Sequence, residues 1–244
     1  MAFPQRTGEG GHERGRLMKQ LALGVQLRAE AVFASFWPGP NAEAVSALRS
    51  PNSLPIWLWG GAGSGKTHLL QAVCAAAGES AYFPLERSLA LPPEALSGFA
   101  DNRVLCVDDV DGVAGDLAWE RALFHLFNEA AEQRTQLIFA ASCPPRQPAW
   151  LLEDWGSRAA ACVVYQLKDL DDAGRIGALR LRAEQRGLDL PPETSEYLLK
   201  RMPRDMHSLF DILDELDQAS LVAQRRLTVP FIRDALEKYA KTKS

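Results

Sequence analysis

Residues Gly60-Gly61-Ala62-Gly63-Ser64-Gly65-Lys66-Thr67 fit the spacing G-x-x-x-x-G-K-T. Nothing else in the chain restricts its fold as strongly. The glycines free the backbone to curl, so that successive N–H groups point at one spot. Such a loop grips phosphate when a strand delivers it and a helix leaves it. The helix N-terminus then adds its own free amides and the positive end of its dipole. Both flanks are present. Residues 55–59 (PIWLW) form an apolar run of strand length, and residues 67–77 place apolar side chains at helical spacing. In this setting Lys66 reaches the β and γ phosphates and the Thr67 hydroxyl coordinates magnesium. The implied ligand is a nucleoside phosphate.

The alternation continues beyond the loop. Strands are predicted at 81–84, 104–107 (VLCV), 136–141 (QLIFAA) and 161–166 (ACVVYQ). Between the second and third lies a helix that Asp116 can cap, running to about Gln133. Apolar strands alternating with helices predict an α/β fold, a parallel sheet with helices on both faces. After Leu167 the strand signals end. Residues 171–186, 192–201, 205–224 and 229–239 are predicted helices, and Met206, Leu209, Phe210, Leu213 and Leu216 form one stripe on the third. The expected division is a disordered tail over 1–17, a short peptide and linker over 18–30, a nucleotide-binding core over 31–167, and a small all-helical lid over 168–244.

The 104–107 strand ends in Asp108-Asp109. In a P-loop protein the strand beside the loop ends in an acid that holds magnesium. Asp108 takes that role here, and Asp109 would orient an attacking water.

Composition narrows the partners. The chain has 244 residues, a net charge of −4 and 24% charged residues, which argues against strong direct binding to a DNA backbone. Cys74, Cys106, Cys143 and Cys162 are widely spaced and contain no CxxC pair, the pattern of reduced thiols in a cytoplasmic protein. No apolar run is long enough to span a membrane, and residues 1–17 lack the apolar centre of a signal peptide.

Taken together, the motifs resemble the AAA+ ATPases, and within them the DnaA branch of replication initiators. Phe33-Ala34-Ser35-Phe36-Trp37-Pro38-Gly39-Pro40-Asn41 resembles the adenine-contacting segment that precedes the core in that branch. Asp108-Asp109 matches its paired acids. Ala114-Gly115-Asp116, Trp119-Glu120, Pro144-Pro145-Arg146-Gln147 and Ala223-Gln224-Arg225-Arg226-Leu227-Thr228-Val229-Pro230-Phe231 are similar to the regulatory members that switch DnaA off. Gly156-Ser157-Arg158 resembles the motif that carries an arginine finger, and Arg201-Met202-Pro203-Arg204-Asp205-Met206 the sensor-2 helix. The resemblance spans residues 20–238.

The resemblance implies an AAA+ P-loop sheet followed by a helical lid, binding ADP or ATP with Mg2+. Phe36 and Trp37 would touch the base, Arg204 the phosphates, and the first turn after the loop, His68 and Leu69, would complete the grip. Arg158 would act on a neighbour's nucleotide. Gln20-Leu21-Ala22-Leu23-Gly24-Val25 is similar to a peptide that binds the DNA polymerase III sliding clamp (beta subunit), with Gln20 as polar anchor and Leu21 and Leu23 as apolar plugs. The implied partners are DnaA and that clamp. The implied function is negative control of replication initiation, by promoting hydrolysis of DnaA-bound ATP.

One position departs from the branch. The loop after the fourth strand usually offers an acid or amide, and Ser142 stands there. A hydroxyl carries no charge, so weak hydrolysis of the protein's own nucleotide is expected. The chain stops at Ser244 without a helix-turn-helix domain, so an origin-binding initiator is not expected. An autonomous ATPase and a helicase-loader-type adaptor remain as alternatives, and a homodimer or higher oligomer is open.

Overall fold

The computed structural model describes residues 30–50, 54–88, 90–223 and 227–242. The tail and the peptide containing Gln20, Leu21 and Leu23 lie outside the described residues. Two compact units emerge. One is built mainly from Glu43–Gly61 and Gly65–Leu167, the other from Ala34–Ala42, Ala62–Ser64 and the chain from Lys168 onward.

The first unit is a sheet of five strands: β1 (Ile56–Gly60), β2 (Ser80–Pro84), β3 (Val104–Asp108), β4 (Gln136–Ala141) and β5 (Val163–Leu167). Their order is β2-β3-β4-β1-β5, and every pairing is parallel. The inner strands β3 and β4 are buried along their whole length. This is why their sequences are apolar runs without alternation. At the edge, β5 alternates half-buried and exposed residues. It also starts later than its apolar run suggests, because the preceding turn ties Cys162 N–H to Ala159 C=O.

Five helices accompany this sheet: α1 (Ala42–Arg49), α2 (Lys66–Ala77), α3 (Leu85–Ser88), α4 (Leu117–Gln133) and α5 (Glu153–Ala160). The cap on α4 is as expected, with Asp116 accepting from the amides of Ala118 and Trp119. Helix α5 has no clear signal in its sequence, EDWGSRAA, which carries a glycine and only two inward side chains. Tertiary packing holds it. Trp155 is fully buried, with ring centroids 5.5 Å from Phe139 and 5.8 Å from Trp150. Trp57 extends the aromatic cluster to Phe139 and donates its Nε1–H to Cys143 C=O at 3.0 Å.

The second unit contains α6 (Asp172–Gln185), α7 (Pro192–Arg201), α8 (Met206–Ala223) and α9 (Val229–Thr242). Their core joins Leu179, Leu198, Leu209, Leu213, Leu216 and Ile232. The stripe read on α8 is real, with Leu209, Leu213 and Leu216 buried and Met206 and Phe210 packed beside them. Segment Ala34–Ala42, grouped with the core in the sequence-based division, packs in this unit. The reason is long-range bonding. Asn41 donates to Lys168 C=O at 2.9 Å and accepts Lys168 N–H at 2.7 Å. Gln185 donates to Ala34 C=O at 2.9 Å. The Trp37 ring lies so close over Gly177 that an added Cβ would come within 2.6 Å of it. Only glycine fits there without moving the indole.

Candidate nucleotide site

The loop at 60–67 leaves β1 and enters α2. Gly63 and Gly65 sit at φ 74° and 95°, a region that favours glycine. Lys66 lies in the first turn of α2, and its Nζ donates to Gly60 C=O at 2.8 Å and Gly61 C=O at 3.1 Å. The ammonium is thus held at the mouth of the loop. The Ser64 Oγ is buried and has no hydrogen-bond partner. A buried hydroxyl without a partner is costly, and a phosphate oxygen is the kind of group that would satisfy it. These features fit an anion cradle.

The residues following the loop divide. His68 Nε2 stands 3.1 Å from Val32 C=O. Position 69, drawn into the grip by the sequence resemblance, is corrected here: Leu69 is fully buried in the core. Helical spacing turns it away from the loop.

Asp108 ends β3 and is almost completely buried. Its Oδ2 accepts from the Thr67 hydroxyl at 2.7 Å and from the Tyr82 hydroxyl at 2.8 Å, and its Oδ1 from Asp109 N–H at 3.2 Å. A threonine hydroxyl touching a buried carboxylate is a donor set that suits magnesium, which takes its other ligands from water and phosphates. Among the described residues no group of three or more His, Cys, Asp or Glu side chains could hold a metal ion. Tyr82 is a partner that sequence reading missed. It faces Asp108 because β2 and β3 pair with Pro84 opposite Asp108, and no local signal announces that.

Asp109 adopts a left-handed backbone, φ 57°. Burial first, then the charges of Asp108, Glu86 and Asp111, push its carboxyl up to about 6, against the pull of Lys66. An acid whose folded pKa is raised destabilises the fold when ionised. That cost is fully present above about pH 6 and fades as pH falls toward the unfolded value of about 3.9. Asp109→Asn, which tolerates the same backbone, is therefore expected to raise Tm at pH 8 and to raise it less at pH 5. Equal shifts at the two pH values in thermal unfolding would refute this.

Ser142 follows β4. Its N–H donates to Asp111 Oδ2 at 3.0 Å, and its hydroxyl bonds the same oxygen. The position that lacks an acid in the sequence thus has one beside it in space, from the turn after β3.

Arg158 stands in the last turn of α5 and is exposed, at the flank of the face that buries Trp155 and Ala159. Its guanidinium lies 5.9 Å from the Phe124 ring and 5.7 Å from the Phe127 ring, both on α4. Cation–π contact holds the group against α4. Arg204 precedes α8, is 67% exposed, and sits 3.6 Å from Asp172. Phe36 is half-buried and Trp37 39% exposed. The structure therefore brings Lys66, Thr67, Asp108 and Asp109 together in the first unit. Phe36, Trp37 and Arg204 belong to the second.

A P-loop on a parallel sheet, a buried acid against its threonine and a following helical unit define the AAA+ fold. Solved structures agree. Domain III of the Thermotoga maritima replication initiation protein DnaA is 22% identical, covering 88% of this chain and 98% of that one, at a TM-score of 0.75. AMPPCP-bound DnaA from Aquifex aeolicus is 20% identical, covering 78% and 66%, at 0.64. A Thermotoga maritima RuvB variant is 14% identical, covering 90% and 72%, at 0.62.

The second unit is more specific. Residues 157–236, the end of the first unit and most of the second, match the family model described as Hda, lid domain.

Proposed function

We propose that this protein binds ADP or ATP with magnesium and, held on a sliding clamp, stimulates hydrolysis of ATP bound to DnaA. The product is inactive ADP–DnaA, and a second round of initiation is prevented. The lid match carries this reading, and it begins at Ser157, so Arg158 lies within it. The AMPPCP-bound DnaA structures among its structural relatives support an adenine nucleotide.

In this reading Lys66 and the loop amides hold the phosphates, and Thr67 and Asp108 hold magnesium. Phe36 and Trp37 meet the base. The nucleotide sets the protein's shape and partner choice. Arg158 reaches a partner's γ-phosphate and neutralises charge that develops during transfer. Gln20, Leu21 and Leu23 anchor the clamp. The protein acts in the cytoplasm, and none of the described helices is long and apolar enough to cross a membrane.

The test mixes the purified protein with ATP-bound DnaA, DNA and the clamp, and follows ATP loss. Hydrolysis is expected to rise, and Gln20→Ala to remove most of that rise at clamp concentrations near the dissociation constant. No rise, or a rise indifferent to Gln20→Ala, refutes the clamp-dependent reading.

A second reading is autonomous ATPase activity, and Asp111 favours it. Its carboxylate on Ser142 supplies the charge that the serine lacks. Turnover by the isolated protein that disappears in Asp109→Asn would establish it.

A further inference from the structure

Glu120 is a charged residue with no exposed surface. Its Oε1 accepts Gly115 N–H at 2.8 Å, and its Oε2 accepts Leu152 N–H at 2.7 Å. Both partners are main-chain amides, so the buried charge is spent on geometry. Burying a carboxylate carries a large desolvation penalty. A chain selected for stability alone would place an apolar residue here.

The two amides mark the starts of two helices. Gly115 precedes the cap of α4, and Leu152 is the N-cap residue of α5, which has no side-chain cap of its own. One carboxylate therefore fixes where α5 begins relative to α4. Further along α4, Phe124 and Phe127 follow Glu120 at i+4 and i+7, on one stripe. They hold the Arg158 guanidinium at 5.9 and 5.7 Å. From Leu152 to Arg158 the chain advances about 9 Å, and from Glu120 to the middle of the phenylalanine pair about 8 Å, at about 1.5 Å per residue. The helices run in the same direction, and α5 is gripped at both ends of that span.

We infer that Glu120, with Phe124 and Phe127, is the positioning residue that aims Arg158. This rests on Arg158 acting on a partner's nucleotide, as proposed above. Glu120 does not touch that nucleotide. It acts through Leu152 and the helix that carries the arginine.

The test uses the full chain with the partner and clamp described above. Glu120→Gln keeps the shape but turns an N–H₂ toward one of the two amides. Stimulated hydrolysis is expected to fall about tenfold, since sub-ångström misplacement of a transition-state contact costs rate, while ADP affinity stays within about twofold. Amide exchange should quicken over residues 152–158 and not in the strands. Glu120→Gln combined with Arg158→Ala should be no slower than Arg158→Ala alone. Phe124→Leu, at a half-buried site, should repeat the loss if Glu120→Gln fails to fold. Unchanged stimulation in Glu120→Gln and in Phe124→Leu, or an additive double variant, overturns the inference. If Arg158→Ala itself leaves stimulation intact, the functional reading fails instead; faster exchange over 152–158 in Glu120→Gln would still bear out the positioning of the helix.

Discussion

Arg158→Ala is expected to lower stimulated hydrolysis on the partner's nucleotide by about a thousandfold, the usual contribution of an arginine finger, while leaving ADP binding unchanged. The expectation follows from where the residue stands. Its helix is anchored by fully buried Trp155 and Ala159. The guanidinium rests on Phe124 and Phe127, both on α4, so truncation removes surface contacts and leaves the core intact. The change in Tm should be within about 2 °C, since an exposed truncation changes stability by about 0.5 kcal/mol or less. Single-turnover hydrolysis of partner-bound ATP gives the rate, and calorimetric titration gives the ADP affinity. Arg158→Lys should rescue little, because a point charge does not reproduce the planar donor fork. A variant that loses ADP binding would place Arg158 in the protein's own site and sink the assignment.

Lys66→Ala is expected to weaken ADP binding by at least about a hundredfold. Two charge-assisted hydrogen bonds to phosphate oxygens, each worth about 1.5–3 kcal/mol, disappear together. The free protein should barely notice. Lys66 bonds the carbonyls of Gly60 and Gly61, at the rim of the loop. The measurement that separates these outcomes is the nucleotide-induced rise in Tm. At a hundred times the dissociation constant a ligand stabilises by about 2.7 kcal/mol, a rise of about 5–10 °C for a chain of this length. The wild type should show that rise and Lys66→Ala should not. An equal rise in the variant would mean that the loop binds without its lysine, and the cradle argument would fail. The two proposed roles then have separate readouts, nucleotide occupancy for Lys66 and the partner's rate for Arg158.

The two residues also differ in how visible they were beforehand. Lys66 belongs to a contiguous pattern with a strand before it and a helix after it, and both flanks formed within a residue of the expected bounds. For Arg158 the residues alone offered only a surface arginine, and the resemblance supplied its role. Its helix escaped notice because α5 draws its stability from Trp155 packing against β4 and not from helix propensity. Position 69 went the other way. It looked like a continuation of the phosphate grip, but the 3.6-residue turn sends Leu69 into the core.

From sequence alone came whatever contiguous residues encode: the curled glycine loop, the apolar runs of inner strands, the Asp116 cap and the stripe on α8. Each depends on a local periodicity or a local backbone preference, so a short window contains it. The tertiary structure alone decided which groups meet across the chain. Tyr82 reaches Asp108 over 26 positions, Asp111 reaches Ser142 over 31, and Glu120 reaches Leu152 over 32. Those meetings depend on strand register and helix packing, which no short window contains. The raised carboxyl of Asp109 belongs with them, since burial and neighbouring charge exist only once the chain has folded.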